Sequence, residues 1–281
     1  MKLITALLSL LIALQVPTAK VNAAEVSFDT PITLTINEML IKTDTEPFLY
    51  EGNTYVPIRF VSEALSADSV QWDGTREMAT IQYEGKKIEL PKDKKVAYIN
   101  GKKITLAGGT KLVNDRVYVP VRFVAEEMDC TVDWIFNTYT VDISKENVTV
   151  PPELVAERSY TDDDIYWLSK IIHAESRGEP LRGKIAVGNV VLNRVKSSEY
   201  PNTIYGVIFD RQHGVQFSPV LDGSIYQSPL GDSVIAAKRA LNGEKEVGAC
   251  LFFLNPKTAQ SSWIITNRPY FKTIHNHDFY L

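Results

Sequence analysis

Between residues 33 and 145 the chain alternates apolar and polar positions in short runs, broken by turn residues. That is the pattern of β-strands with one buried face. Ala79-Thr80-Ile81-Gln82-Tyr83 and Tyr139-Thr140-Val141-Asp142-Ile143 are the clearest runs, and each follows a strand bearing a tryptophan, Trp72 or Trp134. Short amphipathic helices are predicted at roughly Arg59 to Leu65 and Arg122 to Met128. After Pro151-Pro152 the period changes. Ile165, Leu168 and Ile172 follow one another at spacings of three and four, so they share one face of a helix. Thr161 can cap that helix, and Asp162, Asp163 and Asp164 place negative charge on its first turn, where the helix dipole is positive. Arg177-Gly178-Glu179-Pro180 ends it. Ile185 to Val195 is apolar on nearly every side except Asn189, Asn193 and Arg194, which predicts a second helix at the centre of a small helical domain. The expected fold is a two-domain α+β protein, β-rich with short helices first and mostly helical second.

The first half repeats itself. Tyr55-Val56-Pro57-Ile58-Arg59-Phe60-Val61 returns as Tyr118-Val119-Pro120-Val121-Arg122-Phe123-Val124, an offset of 118 − 55 = 63. Ile36-Asn37 and Ile99-Asn100, Leu49 and Leu112, and Glu63 and Glu126 keep that offset; Trp72 matches Trp134 after one deletion. Agreement in register over this length predicts two copies of one unit, about 33–95 and 96–145. Two adjacent prolines stiffen the chain and end strand pairing, so the half closes at Pro151-Pro152. The expected division is a signal segment over 1–24, a duplicated module over 25–148, a linker over 149–160 and a second domain over 161–281.

Lys2 precedes an apolar run from Leu3 to Leu14, broken only by Thr5 and Ser9, and Val21-Asn22-Ala23-Ala24 supplies small residues for cleavage. This is the pattern of a secretory signal peptide, and the run is short for a membrane span of about 20 residues. The mature chain is expected to begin near Ala24 and to act outside the cytoplasmic membrane. The sequence has 281 residues, 44% hydrophobic and 23% charged, enough for two cores. A net charge of −4 gives no basic field for nucleic acid. Residues 24–150 carry 14 basic and 20 acidic side chains, a net of −6, whereas 151–281 carry 14 of each. Cys130 and Cys250 fall on opposite sides of the boundary, and Cys130 stands where the first copy has Ala67. Free, buried thiols are expected for both.

The candidate chemistry lies in the second half, with all four histidines: His173, His213, His275 and His277. The first half has none, which excludes an imidazole-bound metal there. Glu175 is three residues beyond Ile172 and seven beyond Leu168, so it projects from the apolar face. Desolvation raises a carboxyl's pKa, and an acid kept protonated near neutral pH can donate to a glycosidic oxygen. A structural glutamate paired with Arg177, Arg182 or Arg194 is the other reading of that position.

Two resemblances bear on this choice. The Tyr-Val-Pro-Ile/Val-Arg-Phe segments resemble the copper-amine-oxidase N-terminal-like module of exported Gram-positive proteins, over about 33–145, a name that does not imply copper. His173-Ala174-Glu175-Ser176-Arg177-Gly178-Glu179-Pro180 and Gly183-Lys184-Ile185-Ala186-Val187-Gly188-Asn189-Val190-Val191-Leu192-Asn193-Arg194-Val195 resemble the signature of the spore-cortex-lytic cell wall hydrolases. So do Tyr200 to Ile208, Gln216 to Val220, Phe253-Leu254-Asn255-Pro256, Trp263 and His275 to Phe279. This resemblance covers about Ile165 to Leu281. It implies a lysozyme-like, mostly helical fold, akin to resuscitation-promoting factors and lytic transglycosylases, with Glu175 as catalytic acid. It also implies peptidoglycan glycan strands as substrate, cut at the MurNAc–GlcNAc bond in spore cortex or vegetative wall, with no cofactor.

A glycoside hydrolase ordinarily needs two carboxylates. A lytic transglycosylase manages with one, since the sugar's own C6 hydroxyl closes an anhydro ring. Glu179 is the nearest second carboxylate and is expected to act as a cap or salt-bridge residue at its Gly-Glu-Pro turn. Sugar rings call for aromatic faces and amides, which makes Tyr205, Gln216, Phe217, Asn255 and Trp263 the candidate substrate-binding residues. The N-terminal module is expected to bind wall or a partner protein, or to act as a spacer. Two rival readings are a zinc-dependent wall amidase or peptidase using His173, His275 and His277, although no HExxH pattern is present, and a non-catalytic wall-binding protein.

Overall fold

The alternating runs of the first half fold as strands β1 (Thr33–Ile36), β2 (Met39–Leu40), β3 (Phe48–Tyr50), β4 (Asn53–Pro57), β5 (Ser69–Asp73), β6 (Met78–Tyr83), β7 (Lys86–Pro91), β8 (Val96–Ile99), β9 (Lys102–Thr105), β10 (Lys111–Val113), β11 (Arg116–Pro120), β12 (Thr131–Ile135) and β13 (Thr140–Ser144). Helices α1 (Ile58–Ala64) and α2 (Val121–Glu127) follow β4 and β11 directly. The computed structural model describes residues 27–212, 214–259 and 261–281, so the expected signal segment lies outside the described residues. Along β6 burial alternates, with Ala79, Ile81 and Tyr83 turned inward, as the period of two requires.

Pairing in this half draws on both ends of the sequence. One antiparallel sheet runs β10-β11-β4-β3, with Tyr55 opposite Pro120, Val56 opposite Val119 and Pro57 opposite Tyr118. That register maps onto itself when each residue is exchanged for the one 63 positions away. A second sheet runs β12-β13-β1-β2, in which β1 lies parallel to β13 with Thr33 opposite Thr140. A third runs β5-β6-β7-β8-β9. Strands from early and late in the half therefore share the first two sheets, whereas the third is built from consecutive strands. One apolar core joins them, including Ile36, Val61 and Ile81 with Val124, Met128 and Ile143.

The segment from 149 to 160, expected as a linker, packs on the first core. Val150 is buried, and Val148, Leu154 and Val155 pack on the first core. Lys42 N donates to Leu154 O at 2.8 Å and Ala156 N to Leu40 O at 2.8 Å, extending the edge beside β2. The physical reason is that an apolar segment beside an unpaired strand edge gains by pairing with it.

Beyond Thr161 the chain is mostly helical. Helix α3 (Asp162–Ser176) begins with the expected cap: Asp164 N donates to Thr161 Oγ1 at 3.1 Å, and Thr161 N donates back to Asp164 Oδ2 at 2.8 Å. Helix α4 (Leu181–Lys196) follows, then α5 (Ile204–Ile208), α6 (Pro219–Asp222) and α7 (Gly231–Leu241). Leu168, Ile171 and Ile172 of α3, Ile185 to Val191 of α4 and Ala236, Ala237 and Ala240 of α7 share one core. At Gly188 a Cβ would stand 3.0 Å from Ile172 Cδ1 and 3.3 Å from Ala240 Cβ, so glycine lets the three helices meet closely. The sheet β14 (Phe252–Leu254), β15 (Tyr270–Ile274) and β16 (His277–Tyr280), in the order β14-β16-β15, closes the domain, with α8 (Trp263–Asn267) between its first two strands in sequence. The resulting chain is a two-domain α+β protein.

Helix α7 joins the halves. Lys238 is 1% exposed, and its Nζ donates to Thr33 Oγ1 at 2.7 Å, Thr138 O at 2.8 Å and Tyr139 O at 3.0 Å. Burial pulls its pKa from 10.5 down to about 7. Asn242, the residue after α7, accepts from Tyr160 Oη at 2.6 Å. Cys130 and Cys250 are both buried and free.

Candidate active site

Glu175 stands in the last turn of α3, on the side that carries Leu168 and Ile172. It is half-buried at the wall of a cavity of about 880 Å³. Burial pushes its carboxyl from 4.5 up to about 7; the Arg194 guanidinium opposes that rise and the Asp222 carboxylate adds to it. The cavity also receives Gln216, Phe217, Asn255 and Trp263, so four of the five expected sugar-contact residues meet Glu175 around one space. Trp263 is half-exposed at the start of α8, as a stacking face requires. Phe217 is only 2% exposed, so it forms wall rather than an open face.

Tyr205 is not among the residues that line this cavity. Its ring packs on Phe209 at 4.5 Å and Trp167 at 5.2 Å. Aromatic clustering on the outer side of α5 accounts for it.

Glu179 is not a cavity residue either. It is buried, and Asn276 Nδ2 donates to its Oε1 at 3.0 Å, while Asn276 N donates to its Oε2 at 3.2 Å. His275 Nδ1 lies 3.2 Å from the same Oε2. Burial alone would raise this carboxyl, but the bonds from Asn276 and His275 outweigh it and hold the group below its ordinary value. Glu179 thus fixes the β15–β16 turn, where His275 takes a left-handed φ of 53°. Two residues on, His277 is buried, lines the cavity, and stands 4.0 Å from Glu179 Oε2. Burial lowers its pKa, so it is neutral near pH 7.

Arg194 is a site residue that helical spacing alone does not reveal. It is 5% exposed, its Nε donates to Leu251 O at 2.8 Å, and its guanidinium lies over Tyr200 and Phe217, each at 5.1 Å. Its Nη1 has no hydrogen-bond partner among the described residues. The available signal is the one charged residue in the mostly apolar run Ile185 to Val195. Glu199, exposed on the segment after α4, is the other carboxylate at the cavity among the described lining residues.

The histidines proposed as zinc ligands do not converge. His173 Nδ1 accepts from Leu230 N at 3.3 Å, beside Ser233, whereas His275 and His277 surround Glu179. Among the described residues no three His, Cys, Asp or Glu side chains are grouped to hold a metal ion.

Two family models match separate parts of the chain. Residues 178–280 match the model of the Cell Wall Hydrolase family, and residues 35–143 match the Copper amine oxidase N-terminal domain. The later part of the chain thus matches the Cell Wall Hydrolase model and the earlier part the Copper amine oxidase N-terminal domain model. Over 120 residues the chain is 43% identical to a spore cortex-lytic enzyme of Bacillus cereus, covering 43% of this chain and 45% of that protein. A spore cortex-lytic enzyme of Oceanobacillus iheyensis is 38% identical over 136 residues, 48% of each chain. The solved catalytic domain of a germination-specific lytic transglycosylase from Bacillus anthracis is 41% identical, is covered in full and covers 45% of this chain, with a TM-score of 0.41. The chain spans about half the length of the curated relatives it matches.

Proposed function

We propose that this chain is an exported peptidoglycan-degrading enzyme that cleaves the MurNAc–GlcNAc bond as a lytic transglycosylase, with Glu175 as its acid and base. The observation that carries the reading is a carboxyl whose pKa is about 7, set at the wall of a cavity large enough for sugar rings. The family match and the names of the relatives support spore cortex as the substrate during germination. Residues 161–281 form the catalytic domain, with a lysozyme-like arrangement of α3, α4 and α7. Gln216, Asn255 and Trp263 hold the sugars, with Phe217 behind them. Residues 25–148 form a duplicated module, about 33–95 and 96–145, that holds wall or a partner protein.

The chemistry needs no added water. Glu175 gives its proton to the bridging oxygen, and the C1–O bond breaks. The C6 hydroxyl of the same sugar attacks C1 and returns its proton to Glu175. Because that hydroxyl is tethered, its effective concentration is high. Digests of purified peptidoglycan are expected to end in 1,6-anhydromuramic acid, one water lighter than reducing ends, and to form equally in chelator. Fragment masses showing only reducing ends would mean a hydrolase, with Glu199 as the second carboxylate to test.

The neighbours of Glu175 set the pH range. The group is active as an acid when protonated, so activity is expected to fall as pH rises through about 7. Asp222→Asn removes a charge that raises this pKa and is expected to move the alkaline limb to lower pH. Arg194→Met removes one that lowers it and is expected to move the limb the other way. Initial rates across pH 5–9 (roughly the span where such acids titrate) check both; shifts in the same direction would contradict the assignment.

A further inference from the structure

The N-terminal domain carries two grooves that the cavity around Glu175 does not use. The first, about 340 Å³, lies between α1 with β5 on one side and the β10–β11 hairpin on the other. The second, about 350 Å³, lies between α2 with β12 and the β3–β4 hairpin. Each is built from an early and a late part of the domain, in opposite order. Pro57, Ile58 and Arg59 line the first and Pro120, Val121 and Arg122 the second, at an offset of 63. Leu112 and Leu49 exchange places by the same offset, and Trp72 and Trp134 by 134 − 72 = 62.

The tryptophans are the informative residues. Trp72 is 39% exposed and Trp134 is 37% exposed, each beside a groove rather than under the core. A large aromatic ring left open at one site is ordinary, but the same ring left open to the same degree at two related sites marks a surface kept for a ligand. Each groove is lined, besides its indole, by a guanidinium, Arg59 or Arg122, and by a side-chain amide or carboxylate, Gln71 or Asp133. A flat apolar face rimmed by donors and acceptors suits a pyranose, which has a C–H face and equatorial polar groups.

Charge narrows the ligand. Arg59 and Arg122 are each matched by an acid one turn on, Glu63 at 3.9 Å and Glu126 at 3.8 Å, and Arg116 pairs with Asp44 at 2.7 Å. The grooves are therefore close to neutral, in a region whose net charge is −6. A polyanion would be repelled, whereas an uncharged amino-sugar chain would not. Both volumes lie at the low end of the roughly 300–1,000 Å³ of small-molecule sites, which suits a short stretch of sugar. We infer that the two grooves are equivalent binding sites for N-acetylated sugars of a glycan strand, and that together they hold the enzyme on its polymer. This rests on the reading that the domain faces peptidoglycan.

Two weak sites on one body bind a repeating polymer far more tightly than either alone, by roughly 10²–10⁴-fold where both engage. The test uses the full chain, pelleted on ice with purified sacculi, and competed with N-acetylglucosamine oligomers or with free stem peptides. Trp72→Ala and Trp134→Ala are each expected to lower retention at least tenfold, the pair of changes to abolish it, and sugar oligomers to release the wild type. Cleavage of short soluble glycan fragments by the same variants is expected to stay at the wild-type rate, so loss of retention is read apart from loss of catalysis. Phenylalanine at both positions keeps an aromatic face and is expected to restore much of the retention. Should the alanine pair lower the melting temperature, Arg59→Gln with Arg122→Gln, both on exposed helix faces, gives the same reading without touching the core. Retention unchanged in the double tryptophan variant, or release by stem peptide and not by sugar, would overturn the inference.

Discussion

Glu175→Gln is expected to lower glycan cleavage by roughly 10²–10⁴-fold while leaving the fold intact. The amide fills the same space at the cavity wall but has no acidic proton to give. Glu179→Gln is expected to keep more activity, because Glu179 anchors the β15–β16 turn and does not line the cavity. The Gln variant should also reveal the cost of the buried acid. In the folded chain Glu175 holds its proton up to about pH 7, whereas the unfolded chain loses it near 4.5. A raised folded pKa contributes stability that is complete below 4.5 and lost as pH rises through about 7. Glu175→Gln escapes that loss. Its melting temperature relative to wild type is expected to climb between pH 4.5 and 7 and then level off. The ceiling is roughly 3 kcal/mol, from about 1.4 kcal/mol per tenfold change in proton affinity. Lysis of purified peptidoglycan by the variant near the wild-type rate would remove Glu175 from the mechanism.

Lys238→Ala is expected to destabilise the chain by about 2–4 kcal/mol, the range for stripping a buried polar partner from its acceptors. Thr138 O and Tyr139 O would each lose a buried donor from α7. The loss falls at the junction, so the change should be one of kind as well as size. Wild type is expected to melt in one transition, and the variant in two, as each domain unfolds on its own core. Gly231, at the start of α7, gives an independent check. A Cβ there would stand 2.2 Å from Tyr139 Oη, so Gly231→Ala should loosen the same junction by a steric route. A single transition at the wild-type temperature in both variants would show that α7 does not couple the domains.

The parts of this molecule legible in the sequence are those fixed by local spacing. Thr161 and Asp164 stand three apart with an apolar stripe behind them, and the cap forms as that spacing dictates. Glu175 reaches the cavity because α3 runs unbroken from Leu168. The short helices after Pro57 and Pro120 begin within a residue of the expected place. What the spacing does not carry is partnership between distant segments. Arg194 becomes a cavity residue through Leu251 O, 57 positions later. Lys238 sits in an Ala-Ala-Lys-Arg-Ala stretch that resembles a solvated helix face, and only the docking of α7 on Thr138 and Tyr139 buries it. Tyr205 shows the reverse case, an aromatic residue in a family-like segment whose ring packs on Trp167 of α3 and on Phe209 just after α5.

Pairing of β1 with β13 brings Thr33 against Thr140, a separation of 140 − 33 = 107 residues. A nascent chain therefore cannot finish the β12-β13-β1-β2 sheet when its first strands emerge; it must wait for nearly the whole domain. Until then β1 and β2 are open edges, able to pair with a neighbouring chain. Such distant pairing is slow to form, because the loop must close before its contacts repay the ordering. Neither half, cut out alone, would own a complete sheet of the β12-β13-β1-β2 kind. A piece holding only 33–95 or only 96–145 would lack strands that the other lends, and a shortened gene is expected to give an aggregation-prone fragment rather than a smaller domain.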